Sequence, residues 1–125
     1  MLIWALTSNA FSRMGAADEI FSGRSTFMVE VGETADIMRE ATKDSLVILD
    51  ELGRGTSTHD GVAVAMAVLD HFLNRVGCLT VFVTHYLPLT DFGRIYPKQV
   101  GNYHMAFIVN DEEGESLGMY GIVHH

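Results

Sequence analysis

An α/β fold built on a parallel central sheet is what this 125-residue chain predicts, and three features of the sequence carry that prediction. Leu46-Val47-Ile48-Leu49 and Leu79 to Val83 are each apolar at consecutive positions, as in strands buried on both faces of a parallel sheet. A helix-patterned segment precedes each run. The second of those segments also joins one run to the other, so strand, helix and strand form a βαβ unit, whose crossover is right-handed by strong precedent.

Along the chain, Phe27, Val31, Ala35, Met38 and Ala41 recur at helical spacing, which predicts an amphipathic helix from Ser25 to about Thr42. The first apolar run then ends in Asp50-Glu51. A glycine-rich turn, Gly53 to Thr58, leads into a helix over about Asp60 to Arg75, with Val62 and Met66 expected in the core. Ser57 with Asp60 three residues on has capping-box spacing, and Gly77 marks the stop. The second run ends in Thr84-His85. Tyr103 to Val109 is expected as a third strand with Phe107 in the core, and Asp111 to Glu115 as the turn after it.

Eight Lys+Arg against sixteen Asp+Glu leave a formal charge of −8, which argues against autonomous nucleic-acid binding, since that draws most of its affinity from cations on phosphates. With 48% hydrophobic residues the chain is globular, and its length allows one domain at most. Cys78 is the single cysteine, so no internal disulfide forms and a reducing, intracellular compartment is expected. Met1 to Leu6 is too short to span a bilayer and lacks a basic start, so no membrane association is expected.

Ligands of open α/β sheets bind beyond the carboxyl ends of the strands. Here those ends bear Asp50 and Glu51 on one strand and His85 on the next. Two acids after four buried hydrophobes need water, a cation or a partner. An isolated Asp-Glu pair usually does no more than solvate a strand end. The glycine-rich turn and His85 favour a Walker-B-type site instead. In that reading Asp50 serves Mg²⁺, Glu51 activates a water, and His85 reaches a terminal phosphate. Ser25-Thr26, opening the first helix after Gly23-Arg24, is a second place where amides and hydroxyls could face an anion, although an N-cap serine is more often structural.

Several segments together resemble the MutS family of DNA mismatch-repair ATPases. Ser45 to Gly61 is similar to that family's long signature almost without a break. Phe11 to Asp18 resembles the segment upstream of it, Ser22 to Glu30 the ABC-signature equivalent, and Thr84-His85-Tyr86 the switch histidine. Gln99 to Met105 is most similar to the eukaryotic branch that recognises insertion–deletion loops. The resemblance covers residues 11–109, with residues 1–10 and 110–125 departing from it.

That resemblance implies part of an ABC-type P-loop NTPase domain. ATP and Mg²⁺ are its cofactors, with Asp50 at the metal and Glu51 and His85 as catalytic residues. Ser25 and Thr26 would touch the nucleotide of the other subunit in a composite site. Gly53, Arg54, Gly55, Thr56, Ser57 and Thr58 would form a loop at the dimer seam. The implied partners are a MutS-homolog subunit, a MutL-type downstream protein and, through domains outside this chain, mismatched or looped DNA. The implied location is the nucleus.

A phosphate-binding loop needs Gly, four residues, Gly, Lys and then Ser or Thr. No two glycines of this chain have that spacing, and neither Lys43 nor Lys98 follows a glycine. The chain is therefore expected to be a fragment that hydrolyses no ATP by itself and, with sheet neighbours missing, is poorly stable. Two alternatives stand beside the main reading. One is a fragment of another ABC-type ATPase, against which Ser22-Gly-Arg-Ser-Thr26 weighs because it lacks the usual Leu-Ser-Gly-Gly-Gln pattern. The other is a non-catalytic fragment that only binds a partner MutS-type subunit.

Overall fold

The computed structural model describes residues 8–14, 26–108 and 119–124. Two compact units divide the chain, Met1–Leu89 and Thr90–His125.

The first unit is a three-stranded parallel sheet with order β1-β2-β3, where β1 is Asn9–Arg13, β2 is Ser45–Asp50 and β3 is Leu79–Val83. Helix α1 (Thr26–Glu40) crosses from β1 to β2, and α2 (Thr58–His71) from β2 to β3. Because the strands are laid down side by side in one direction, two right-handed crossovers bring both helices to the same face. The burial record agrees. Val47 and Leu49 are fully buried and form one core with Ile37, Val68 and Phe72, while Phe11 and Phe82 pack against it.

The expectation of strands covered on both faces is corrected by this topology. On the opposite side, Leu79, Val81 and Val83 are about half exposed, and Leu46 and Ile48 are half-buried. Consecutive apolar residues mark two apolar faces, yet among the described residues only one of them is covered.

In α1 the predicted apolar stripe is only half-buried. The deepest positions are Glu30, Thr34 and Ile37, so the inward line of the helix is partly polar. Thr34 donates its hydroxyl to the Glu30 carbonyl at 2.8 Å, which satisfies one of those groups locally. The N-cap of α2 is Ser57, whose Oγ accepts the Asp60 N–H at 3.3 Å and donates to the Asp60 carboxylate at 2.7 Å. The buried positions of α2 are Gly61, Ala65 and Val68. Met66 is exposed rather than in the core, because it lies off that stripe, and Val62 is half-buried.

The α-helix also ends earlier than the predicted Arg75. Phe72–Val76 form a π turn closed by Gly77, whose φ of 70° suits a residue without a Cβ and whose N–H reaches the Phe72 carbonyl at 2.8 Å.

The second unit holds a short helix, α3 (Asp91–Ile95), and the strands β4 (Tyr103–Ile108) and β5 (Met119–His124). The predicted third strand is present as β4. It pairs antiparallel with β5 in a separate two-stranded sheet instead of extending the parallel one. Asn102 donates to the Thr90 carbonyl at 2.8 Å and stands against Gly93, where an added Cβ would lie 2.6 Å from its amide nitrogen. The predicted turn at Asp111 to Glu115 lies outside the described residues, and although Phe107 belongs to β4, the burial of its side chain is likewise outside what is described. Among the described residues no helix is long and apolar enough to cross a membrane.

Candidate functional site

β2 delivers Asp50 and Glu51 to the carboxyl edge of the parallel sheet, and β3 delivers Thr84 and His85 beside them. The strands are in register with Asp50 opposite Val83, and the Glu51 N–H continues the ladder by donating to the Val83 carbonyl at 2.9 Å. The two predicted acids and the predicted histidine therefore share one edge, as βαβ topology requires. Asp50 and Glu51 are partly buried, whereas His85 is exposed, its ring tilted against Tyr86 with centroids 4.4 Å apart.

Glu51 has a φ of 50°, the left-handed region where a non-glycine residue is uncommon. Such a conformation costs about 1–3 kcal/mol and persists where surrounding structure fixes it, often at functional sites. Sequence reasoning gives no signal for it, because nothing in Asp-Glu-Leu-Gly favours positive φ at the glutamate. The carboxylate of Glu51 also forms an ion pair with Arg54 three residues on. A candidate general base thus sits with its counter-ion inside the same turn.

The turn itself is layered. Leu52 and Gly53 are buried, and Arg54, Gly55, Ser57 and Thr58 are exposed, with Thr56 between. Gly53 has a φ of 92°, and a Cβ there would lie 2.7 Å from the Gly61 carbonyl oxygen. Its neighbours leave no room either. A Cβ on Gly61 would come within 2.3 Å of the Tyr86 hydroxyl. Gly55 lies against the first turn of α1, where an added Cβ would be 3.3 Å from the Cβ of Phe27. The structure therefore brings the start of α1, which carries Thr26, next to the glycine-rich turn. Ser25 lies outside the described residues.

Three residues that sequence reasoning gave no role complete this neighbourhood. Arg13, at the end of β1, pairs with Glu30 of α1 at 3.3 Å, and both side chains are about 95% buried. Glu30 Oε1 in turn accepts the Gly53 N–H at 3.2 Å, and Tyr86 donates its hydroxyl to the Gly53 carbonyl at 3.0 Å. Arg13, Glu30 and Tyr86 each lie inside a segment that carries the family resemblance, which marks them in the sequence without giving them a role. Among the described residues no group of three or more His, Cys, Asp or Glu could hold a metal by itself. Mg²⁺ is commonly held by one or two carboxylates together with phosphate and water, so Asp50 fits as a contributing ligand and not as a complete site.

The chain matches the family model for MutS domain V over residues 3–123. It is 57% identical over 110 residues to the DNA mismatch repair protein Msh3 of Mus musculus and 56% identical over 110 residues to that of Homo sapiens. It is 52% identical over 108 residues to MSH3 of Coccidioides immitis. These matches cover 86–88% of this chain and 10% of each relative, so the chain spans about one tenth of the length of the curated relatives it matches. A parallel α/β unit with an acidic strand end, matched over nearly its whole length by MutS domain V, places the chain plainly: it belongs to the MutS family. Within that family its similarity is to the Msh3 type.

Proposed function

We propose that this chain supplies part of the nucleotide-hydrolysing apparatus of an ATP-dependent DNA mismatch-repair subunit of the Msh3 type. The observation that carries the proposal is the shared sheet edge, where Asp50 and Glu51 leave β2 beside the Val83 carbonyl and the Thr84-His85 segment. In this reading Asp50 contributes to a Mg²⁺ site, Glu51 takes a proton from the attacking water, and His85 senses the terminal phosphate. ATP with Mg²⁺ supplies the phosphoryl group and its charge neutralisation, and the phosphate cradle comes from the remainder of the longer protein.

The start of α1 at Thr26, Ser25 immediately before it in sequence, and the rim Arg54 to Thr58 contribute to the interface with a MutS-homolog partner subunit. DNA carrying a mismatch or loop is read by other domains, a reading that the acid excess of this chain supports. The relatives are themselves named DNA mismatch repair proteins, which supports a nuclear location and a downstream MutL-type partner.

The test is steady-state ATP hydrolysis by the full-length subunit assembled with its partner. Glu51→Gln removes the base and preserves the shape of the side chain. It should lower kcat by about 10²-fold or more while nucleotide binding persists, since general-base catalysis is typically worth about 10²–10⁴. Hydrolysis at the wild-type rate would overturn the assignment.

A further inference from the structure

We infer that the backbone of Gly53 is the junction between the two composite nucleotide sites, with Glu30 and Tyr86 as positioning residues that hold its N–H and its carbonyl. This inference rests on the nucleotide reading above and extends it to residues that touch neither nucleotide nor metal.

Gly53 lies two residues after Glu51, the candidate base. Its N–H is held by Glu30 Oε1 at 3.2 Å and its carbonyl by the Tyr86 hydroxyl at 3.0 Å, both in buried surroundings. Glu30 lies about one helical turn from Thr26, at the end of α1 proposed to meet the partner's nucleotide. Tyr86 directly follows His85, the proposed phosphate sensor. The two peptide planes that meet at the Gly53 Cα are therefore each pinned: the first donates its N–H to the helix that faces the other subunit, and the second accepts at its carbonyl from the residue after the strand end that faces its own phosphate. The two planes have little freedom to turn independently, because they share the Gly53 Cα, whose φ of 92° and close approach to the Gly61 backbone fix it from a third side. Movement at either end must be felt at Glu51.

The charge on Glu30 argues in the same direction. Burying a carboxylate is costly, and a buried ion pair adds little net stability compared with an apolar pair of the same volume. The inward line of α1 at that position could have been aliphatic. Instead a glutamate is present, and its Oε1 is shared between Arg13 Nη1 at 3.3 Å and the Gly53 N–H. Arg13 is held in turn by Glu33, whose exposed carboxylate lies 3.3 Å from Nε. The arrangement orients one acceptor oxygen at one backbone amide, which is a positioning task that a hydrocarbon cannot perform.

The experiment uses the full-length subunit with its partner. Tyr86→Phe deletes one hydroxyl and keeps the ring, and Glu30→Leu deletes the acceptor oxygen and keeps an aliphatic side chain of similar size. Each should lower kcat about tenfold with KM unchanged, the effect of one hydrogen bond expressed only in the transition state. Hydrogen exchange over residues 51–57 should quicken in both variants, with β2 protected as in the wild type. Arg39→Ala, on the exposed side of α1, should leave kcat where it was. Val68→Ala, which destabilises the core away from the peptide, serves as the stability control.

Wild-type kcat in Tyr86→Phe would overturn the inference and leave the proposed function standing. So would an equal loss of kcat in Val68→Ala at the same drop in melting temperature, because the effect would then be one of stability alone. A wild-type complex that hydrolyses no ATP would overturn both the inference and the reading beneath it.

Discussion

The glycine-rich turn has an inner and an outer half, adjacent in sequence and governed by different physics. On the inner half, Leu52 is fully buried and Gly53 is held by a positive φ, a neighbouring backbone and two hydrogen bonds. On the outer half, Arg54, Gly55, Ser57 and Thr58 are exposed and held mainly by local hydrogen bonds and one ion pair. Composition does not separate the halves, since each contains glycine and polar neighbours. The difference teaches that a Gly-Ser-Thr stretch can be rigid where it leaves the sheet and adaptable where it meets a partner.

The sharpest way to break this comparison is to put a methyl group on the inner half. Gly53→Ala combines a strained φ with a backbone clash against Gly61, and should cost about 3 kcal/mol or more, the sum of typical strain and overpacking costs. Urea unfolding reads that directly, and a change near zero would mean that the turn rearranges freely. Leu52→Ala leaves a cavity in the same place and should cost about 2–5 kcal/mol with an unchanged denaturant slope.

Ser57→Ala, at the boundary, removes the acceptor for the Asp60 N–H and should cost about 1 kcal/mol. A loss as large as that of Leu52→Ala would show that the cap belongs to the rigid half. Arg54→Ala, on the outer half, breaks an exposed pair with Glu51 and should change stability by less than about 1 kcal/mol. A larger loss in the melting experiment would erase the distinction between the halves.

Much of this was legible beforehand. β3, the start of α2, its Ser57 cap and the Gly77 stop all follow from local patterns, because they depend on residues within one turn or one strand. The same holds for Asp50, Glu51 and His85 at one edge, which the βαβ connection places together wherever it forms. β1 carries no strand signal in the sequence. Asn9-Ala10-Phe11-Ser12-Arg13 has neither an apolar run nor a sustained alternation, and it is a strand only because β2 offers it a parallel partner. The role of Glu30 is hidden in the sequence for a related reason. A charged residue on a helix is ordinarily solvent-facing, and its burial depends on Arg13, seventeen positions away in sequence.

The sequence by itself determined the order of strand and helix from α1 to β3, the Ser57 cap, the Gly77 stop and the family, because apolar periodicity and short motifs encode near-neighbour energetics. Only the tertiary structure decided which sheet face is covered, that β4 leaves the parallel sheet to pair with β5, and that Gly53 is held between Glu30 and Tyr86. Those outcomes depend on crossover handedness, on strand partners far along the chain, and on the need of buried polar groups to find one another. None of these is a property of any single stretch of residues.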